Sequence, residues 1–236
     1  MDAKHLINRS PLRVLEDSTH GGPGPGGLAV LASPKGVGKT ACLVHIATDK
    51  LFQGKAVIHV SYSSRVDYIM TWYEDIFKEI VKTHRLRDSE TVYDEIIKNR
   101  VIMNFKQDGM RTGQVLRSLE AMITGGKFDA DTIIVDGYNF GLAAPDDLDR
   151  FKDFARRMNV SIWFSASLKE TGGEMFGPDG TPVLLAPHAG RIDVLITLEA
   201  KSDAVEIRVV KDHDNPPAGV LPIRLDPRTL LIAQEK

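Results

Sequence analysis

The chain reads as an α/β protein: a mainly parallel sheet flanked by helices, extended at one edge by antiparallel C-terminal strands. Two observations carry this. Through residue 165, short apolar runs alternate with longer segments whose apolar residues recur at helical spacing, the order that builds a parallel sheet. Beyond residue 192 only strand-like runs remain, joined by short turns rich in Pro, Ser and Asp.

The elements follow in order. Residues 1–27 form an N-terminal segment. In it Ser10 to Leu15 fits a short strand or a single helical turn, and Gly21 to Gly27 is dense in Gly and Pro, a composition for turns. Lying within two residues of the first strand, that Gly cluster is expected to pack under the loop that follows the strand. Residues 28–236 read as one domain. Leu28-Ala29-Val30-Leu31-Ala32 is the first buried strand, and Ala41, Leu43, Val44, Ala47 and Leu51 mark a helix over 39–53 that Gly54 stops. Strand 55–60 follows. Ser61 to Ser64 then cap a helix over 65–84, whose Tyr68, Ile69, Trp72, Ile76, Phe77 and Ile80 fit a core-facing stripe. A helix is expected at 90–99, a strand at 101–105 and a helix at 112–124. Strand 131–136 ends in Asp136, helix 146–158 carries Asp149 and Asp153 as surface charges, and strand 160–165 comes next. Residues 166–190 have little periodicity and read as a long loop of the kind that carries function. Runs at 192–198, 205–210, 221–225 and 230–233 complete the sheet.

Composition bounds the function. The 236 residues are 42% apolar and 26% charged, which allows a sizeable core, and a net charge of -2 gives no basic field for nucleic acid. The single cysteine, Cys42, excludes an intrachain disulfide and fits a small buried residue. No apolar run approaches the ~20 residues that span a membrane, and the N-terminus lacks the apolar core of a secretory signal. A cytoplasmic protein is the default expectation. The compact basic run Lys82 to Arg87 sits at a helix end, where the helix dipole favours cations.

Chemistry concentrates at two places. Ser33-Pro34-Lys35-Gly36-Val37-Gly38-Lys39-Thr40-Ala41 links a strand to a helix. That is the setting in which backbone N–H groups and a helix N-terminus cradle phosphate. Gly36 and Gly38 let the backbone approach closely, Lys39 is placed to reach β- and γ-phosphates, and the Thr40 hydroxyl to ligate Mg²⁺. The usual first Gly of such a loop is Ser33 here. The second place is Asp136, a carboxylate at the C-terminal edge of a buried strand, where ligands of such sheets collect and where it can hold Mg²⁺ or its water shell.

These pieces, SPKGVGKT, TIIVDGYNF, VSIWFSASL and the C-terminal IDVLITL and EIRVVKDHDNPPAGVLPIRLDP, resemble the RecA-like ATPase core of RecA, the DnaB-type replicative helicases and the KaiC/RadA group, over about residues 10–234. The resemblance implies a P-loop NTPase fold, ATP and Mg²⁺ as cofactors, and a homo-oligomer, hexamer-like in some members. It also implies three features that this sequence alters. A water-polarising glutamate commonly follows the second strand, but here Val60 to Ser64 carries no acid, Asp67 is the nearest carboxylate, and Gly137 rather than a glutamate follows Asp136. The residues after the next strand in the core, where a polar γ-phosphate sensor often sits, are Ser165-Ala166-Ser167. A Lys-x-Arg pair that serves the neighbouring subunit's nucleotide becomes Lys211-Asp212-His213, and an arginine supplied in trans can matter by ~10³-fold or more.

The expectation is therefore an ATP·Mg-binding protein that hydrolyses slowly, with binding residues present and those that organise the transition state thinned. The alternatives are a fully active ATPase, nucleic-acid-dependent as in the RecA and DnaB groups, that recruits Asp67 or Glu170 as base, and a non-hydrolysing interaction module. A ParA/MinD-type ATPase would carry its signature lysine at Pro34, and a small-molecule kinase would carry an Arg-rich lid that 166–190 lacks. Nucleic acid is not favoured by charge, since Lys169 in that loop is balanced by Glu170, Glu174 and Asp179. No guanine-reading NKxD pattern is present, so adenine is the default base.

Overall fold

A computed structural model describes residues 3–63, 65, 67–106, 112–169 and 174–234. Helices α1 (Ala3–Arg9) and α2 (Leu12–Asp17) precede β1 (Leu28–Pro34), and α3 (Lys39–Phe52) follows it. Next come β2 (Ala56–Ser61), α4 (Tyr68–His84), α5 (Ser89–Ile97), β3 (Arg100–Asn104), α6 (Thr112–Glu120), β4 (Ala130–Asp136), α7 (Asp147–Met158) and β5 (Ser161–Leu168). The chain then adds β6 (Val194–Ala200), β7 (Val205–Asp212), β8 (Gly219–Leu225) and β9 (Ile232–Gln234).

Among the described residues nine strands form one sheet in the order β3-β2-β4-β5-β1-β6-β7-β8-β9. The strands from β3 through β6 in that order run parallel, and β7, β8 and β9 add antiparallel. The α/β class and the mixed sheet agree with the alternation seen in the sequence. β1 lies between β5 and β6, so it is covered on both faces. Its Ala29 and Leu31 point into the core shared with α3 and α4, while Leu28, Val30 and Ala32 point into the core shared with α6 and α7. This explains the unbroken apolar run: each alternate residue of a doubly covered strand meets a helix layer. On the α7 side, Phe151 and Phe164 meet edge-on with ring centroids 5.0 Å apart, a contact worth about 1 kcal/mol beyond burial.

Helix α3 is enclosed on nearly every side. Its Asp49, only 6% exposed, pairs with Arg13 of α2, which also pairs with Glu16; Lys50 in turn bonds Glu16 at 2.6 Å. On another side the β9 backbone docks, with Ile232 N–H donating to His45 Nδ1 at 3.0 Å. The N-terminal helices and β9 thus clamp the helix that follows β1.

Several local expectations are corrected. Of the two forms open to Ser10 to Leu15, the helical one is seen, running from Leu12 to Asp17. The Gly-Pro segment packs at the N-terminal edge of the strands, opposite the loop that follows β1: Gly26 N–H bonds Val160 O, and a small cavity of about 100 Å³ lies between Gly22, Lys55, Asp131 and Trp163. Ser61 ends β2 instead of capping a helix, and α4 starts only at Tyr68. β5 continues to Leu168 because its ladder with β1 runs on to Pro34. Within 174–190 a bridge joins Phe176 to Pro182 and a 3-10 turn spans Val183–His188, so local hydrogen bonds replace the loop expected there. Among the described residues no helix is long and apolar enough to cross a membrane.

Two buried histidines make the fold acid-sensitive. Burial, with His84 nearby, lowers His45 from 6.5 to about 4. Burial, reinforced by Arg100 and opposed by Asp136, lowers His59 to about 4; its Nδ1 lies 3.1 Å from the Tyr73 hydroxyl. In the unfolded chain these rings take up protons near 6.5, so between pH 6.5 and 4 the unfolded state binds more protons. Their stabilising contribution is complete above 6.5 and is lost as pH falls toward 4. Denaturant melts at pH 7.5 and 5 are expected to differ by on the order of 2 kcal/mol per histidine, and His59→Gln should reduce that difference.

Candidate functional site

β1 ends at Pro34 and the chain turns through Lys35, Gly36, Val37 and Gly38 into α3. Gly36 and Gly38 take φ of 88° and 118°, which side chains with a β-carbon rarely adopt. At Gly38 a second constraint applies: a β-carbon would lie 2.3 Å from Cδ2 of Leu225, the last residue of β8. The antiparallel extension therefore packs directly onto the loop. At the start of α3, the N–H groups of Lys39, Thr40 and Ala41 precede the first residue that finds a carbonyl four back, Cys42 on Gly38. Such a first turn is a natural anion site.

Lys39 is 7% exposed and folds back along the loop. Its ammonium donates to the carbonyls of Ser33 at 3.0 Å and Pro34 at 2.8 Å, and to the Ser33 hydroxyl at 3.3 Å. Burial lowers it from 10.5 to about 8, with the Asp136 carboxylate pulling the other way. Thr40 Oγ1 donates to Asp136 Oδ2 at 2.9 Å, and Ser165 Oγ donates to Asp136 Oδ1 at 2.6 Å while accepting from Gly137 N–H at 2.7 Å. Residues from α3, β4 and β5 thus meet at one carboxylate, at the C-terminal edge of the parallel strands.

The surrounding cleft measures about 460 Å³ and is lined by two kinds of residue. Thr40, Ser61, Ser63, Asp136, Ser165 and Ser167 are polar. Tyr62, with Tyr68 and Trp72 of α4, and Val205, Leu225, Pro227 and Leu230 supply aromatic and aliphatic surface, with the tyrosine hydroxyls and the indole N–H as its polar atoms. Ala41 and the loop residues Lys35 to Lys39 also line it. Ser33 and Pro34 act from behind, through their contacts to Lys39. Thr40 and Asp136 fit a hard cation held largely by water and phosphate oxygens, which needs only one or two protein oxygens. Among the described residues no cluster of three or more His, Cys, Asp or Glu is placed to hold a metal ion by itself.

The residues expected to act in hydrolysis are placed differently. Asp136 is the only carboxylate lining the cleft among the described residues. Asp67 is exposed and bonds Arg65 at 2.9 Å, and Glu170 lies outside the described residues. Position 137 cannot readily carry a glutamate, because Gly137 has φ 88° and its α-carbon approaches Tyr62, with an added β-carbon 3.4 Å from Tyr62 Cβ. Lys211 and His213 sit at the far edge of the sheet, since β7 runs antiparallel and ends beside the start of β6. The Lys211 ammonium donates to Ala189 O at 2.7 Å and Ile192 O at 2.6 Å. His213 lies 2.9 Å from the buried Asp212, whose other oxygen is 2.6 Å from His20.

Tyr68 reads from sequence as core, but it is 39% exposed and lines the cleft; Trp72 packs against the core as expected and lines the cleft as well. Leu225 and Leu230 read as strand residues, but no local signal places them or Pro227 at the loop, because only the return of the antiparallel strands brings them there.

The Gly38–Leu225 contact is separable by mutation. Gly38→Ala is expected to destabilise by about 1–3 kcal/mol through φ strain and the clash. In a Leu225→Ala background the added cost of Gly38→Ala should shrink, leaving only the strain; equal costs in both backgrounds in chemical-denaturation melts would rule out the contact. No protein-family model matches the chain, and no curated protein matches it either.

Proposed function

We propose that the chain is a RecA-like P-loop protein that binds ATP with Mg²⁺ in this cleft, hydrolyses it slowly and works as a nucleotide-dependent, oligomerising switch. The observation that carries the reading is the 2.9 Å hydrogen bond from Thr40 to Asp136, beside a Gly-containing loop and a buried lysine. It joins the two places in the sequence that carry phosphate and magnesium chemistry.

Each residue then has a task. The loop N–H groups and the first turn of α3 take the phosphate oxygens. Lys39 exchanges its carbonyl partners for β- and γ-phosphate, so the ammonium is parked where it is needed. Mg²⁺ supplies charge neutralisation when bound, and Thr40 with Asp136 would hold it or its water. Ser165 keeps Asp136 oriented, and the exposed Ser167 offers a hydroxyl to a terminal phosphate. Tyr68 and Trp72 offer aromatic surface to the base.

Slow turnover follows from the polar lining of the cleft. Ser61 ends β2 and Tyr62 and Ser63 follow it where a base would be needed, and burial pushes the Tyr62 phenol up to about 12, so it holds its proton. Lys211 and His213 are each engaged within their own chain, which weakens the reading of them as groups given to a neighbour's nucleotide. An active ATPase relying on Asp67 is disfavoured by that residue's pairing with Arg65. Oligomer formation rests on the resemblance; gel filtration with and without Mg·ATP tests it, and a monomer in both conditions would remove it.

Mg·ATP is expected to change Trp72 fluorescence saturably, and Lys39→Ala to abolish the change. Phosphate release should stay at least ~10³-fold below the roughly 10 s⁻¹ common among enzymes. Turnover at that common rate, lost in Lys39→Ala, would overturn the slow-switch reading. Nucleotide affinity should also depend on pH. The charged ammonium recognises phosphate, and in the free protein it is lost above about 8. Affinity is therefore expected to be roughly tenfold weaker at pH 9 than at pH 7 in fluorescence titrations.

A further inference from the structure

We infer that a second cavity, separate from the cleft, is an effector site for a small uncharged molecule with an apolar body and one hydrogen-bond acceptor, and that His45 holds the acceptor. The cavity measures about 290 Å³. Leu6 and Ile7 of α1, Phe52 of α3, Ile80 of α4, and Leu231 and Ile232 give it much of its lining. Apolar cavities of about 150 Å³ take up benzene, so this one has room for two rings. A cation there would meet Arg9 and an anion Asp49 and Asp226, and either would leave its hydration behind.

His45 supplies the specific contact. It is 5% exposed, and its Nδ1 accepts the Ile232 N–H at 3.0 Å. Burial lowers the ring from 6.5 to about 4, so at neutral pH it carries a single proton, and that proton is on Nε2. Nε2 makes no hydrogen bond among the described residues. Nor is it one of the sealed atoms there that lack a partner, which are Arg13 Nε, Thr48 Oγ1, His59 Nε2 and Asn104 Nδ2. It is therefore a donor open to the space that His45 lines. The backbone of β9 fixes the tautomer and so decides that the cavity offers a donor rather than an acceptor.

The cavity shares two walls with the cleft. Helix α3 gives Lys39, Thr40 and Ala41 to the cleft, and His45, Asp49 and Phe52 to the cavity. The segment after β8 gives Pro227 and Leu230 to the cleft, and Thr229 and Leu231 to the cavity. A molecule bound at His45 touches both, and whatever it does to the affinity of the cleft, a ligand of the cleft does to its own affinity. This coupling rests on the proposal that the cleft binds nucleotide; the His45 site does not.

Titration of the full chain with 1-tetralone, a two-ring ketone, and with tetralin, the same rings without the acceptor, tests the site. Both are expected to bind saturably by calorimetry. His45→Phe should weaken tetralone about tenfold and leave tetralin unchanged, which also shows that the variant is folded. In the unmutated protein, tetralone and not tetralin should shift the His45 Nε2–H proton resonance. No saturable binding of either compound overturns the site. Equal losses for both in His45→Phe, or an unmoved resonance under saturating tetralone, overturns the role of His45. Saturating tetralone is also expected to change the Mg·ATP dissociation constant by about threefold or more, and an unchanged constant overturns the effector role. Failure of Mg·ATP to bind with or without tetralone overturns the nucleotide reading and the effector role together, while tetralone binding at His45 still stands or falls by its own titration.

Discussion

The Asp136 carboxylate is the junction on which the arrangement depends. It takes Thr40 on one oxygen and Ser165 on the other, and Ser165 takes Gly137 N–H. Three elements from distant parts of the chain are thereby held at one point at the C-terminal edge of the sheet. At 9% exposure an unpaired carboxylate there would be costly, on the order of 1–3 kcal/mol or more for the lost partners. The two hydroxyl donors make its burial tolerable.

The two edges of the sheet do different work. The C-terminal edge carries a lysine held by carbonyls, a carboxylate held by hydroxyls and an open cleft. The N-terminal edge is closed by paired groups: Asp193 accepts from Leu28 N–H at 2.7 Å and pairs with Lys152, Asp212 sits between His20 and His213, and Lys211 tethers Ala189 and Ile192. The lysine and histidine that the RecA-like pattern assigns to a neighbouring subunit thus already serve as fasteners. Their chemistry suits both tasks, but one set of hydrogen bonds cannot serve both at once.

What was legible in the sequence follows from range. Strand β1, the phosphate loop and helix α3 are contiguous, and their period and glycines announce them. Asp136 is legible because a continuous apolar run can end only at a sheet edge, and the edge of a parallel sheet is informative. Tyr68 reads as core because a helical stripe gives the side of the helix and not where along it the cover ends, whereas Trp72 does pack against the core. β5 reads short, ending at Ser165, because Ala166 and Ser167 lack strand propensity; the ladder to β1 holds them extended regardless. Leu225 reads as a strand residue, but its contact with Gly38 is not legible, since no local pattern encodes a contact made across the whole fold.

That contact sets an order of events in making the protein. The loop leaves the ribosome before the residue that packs against Gly38 and the strand that docks on His45. Chains begin folding from their N-terminal side as they are made. Here the loop and α3 can form early yet lack their backing until β8 and β9 arrive. A chain made only as far as β7 therefore presents the loop without Leu225 behind it.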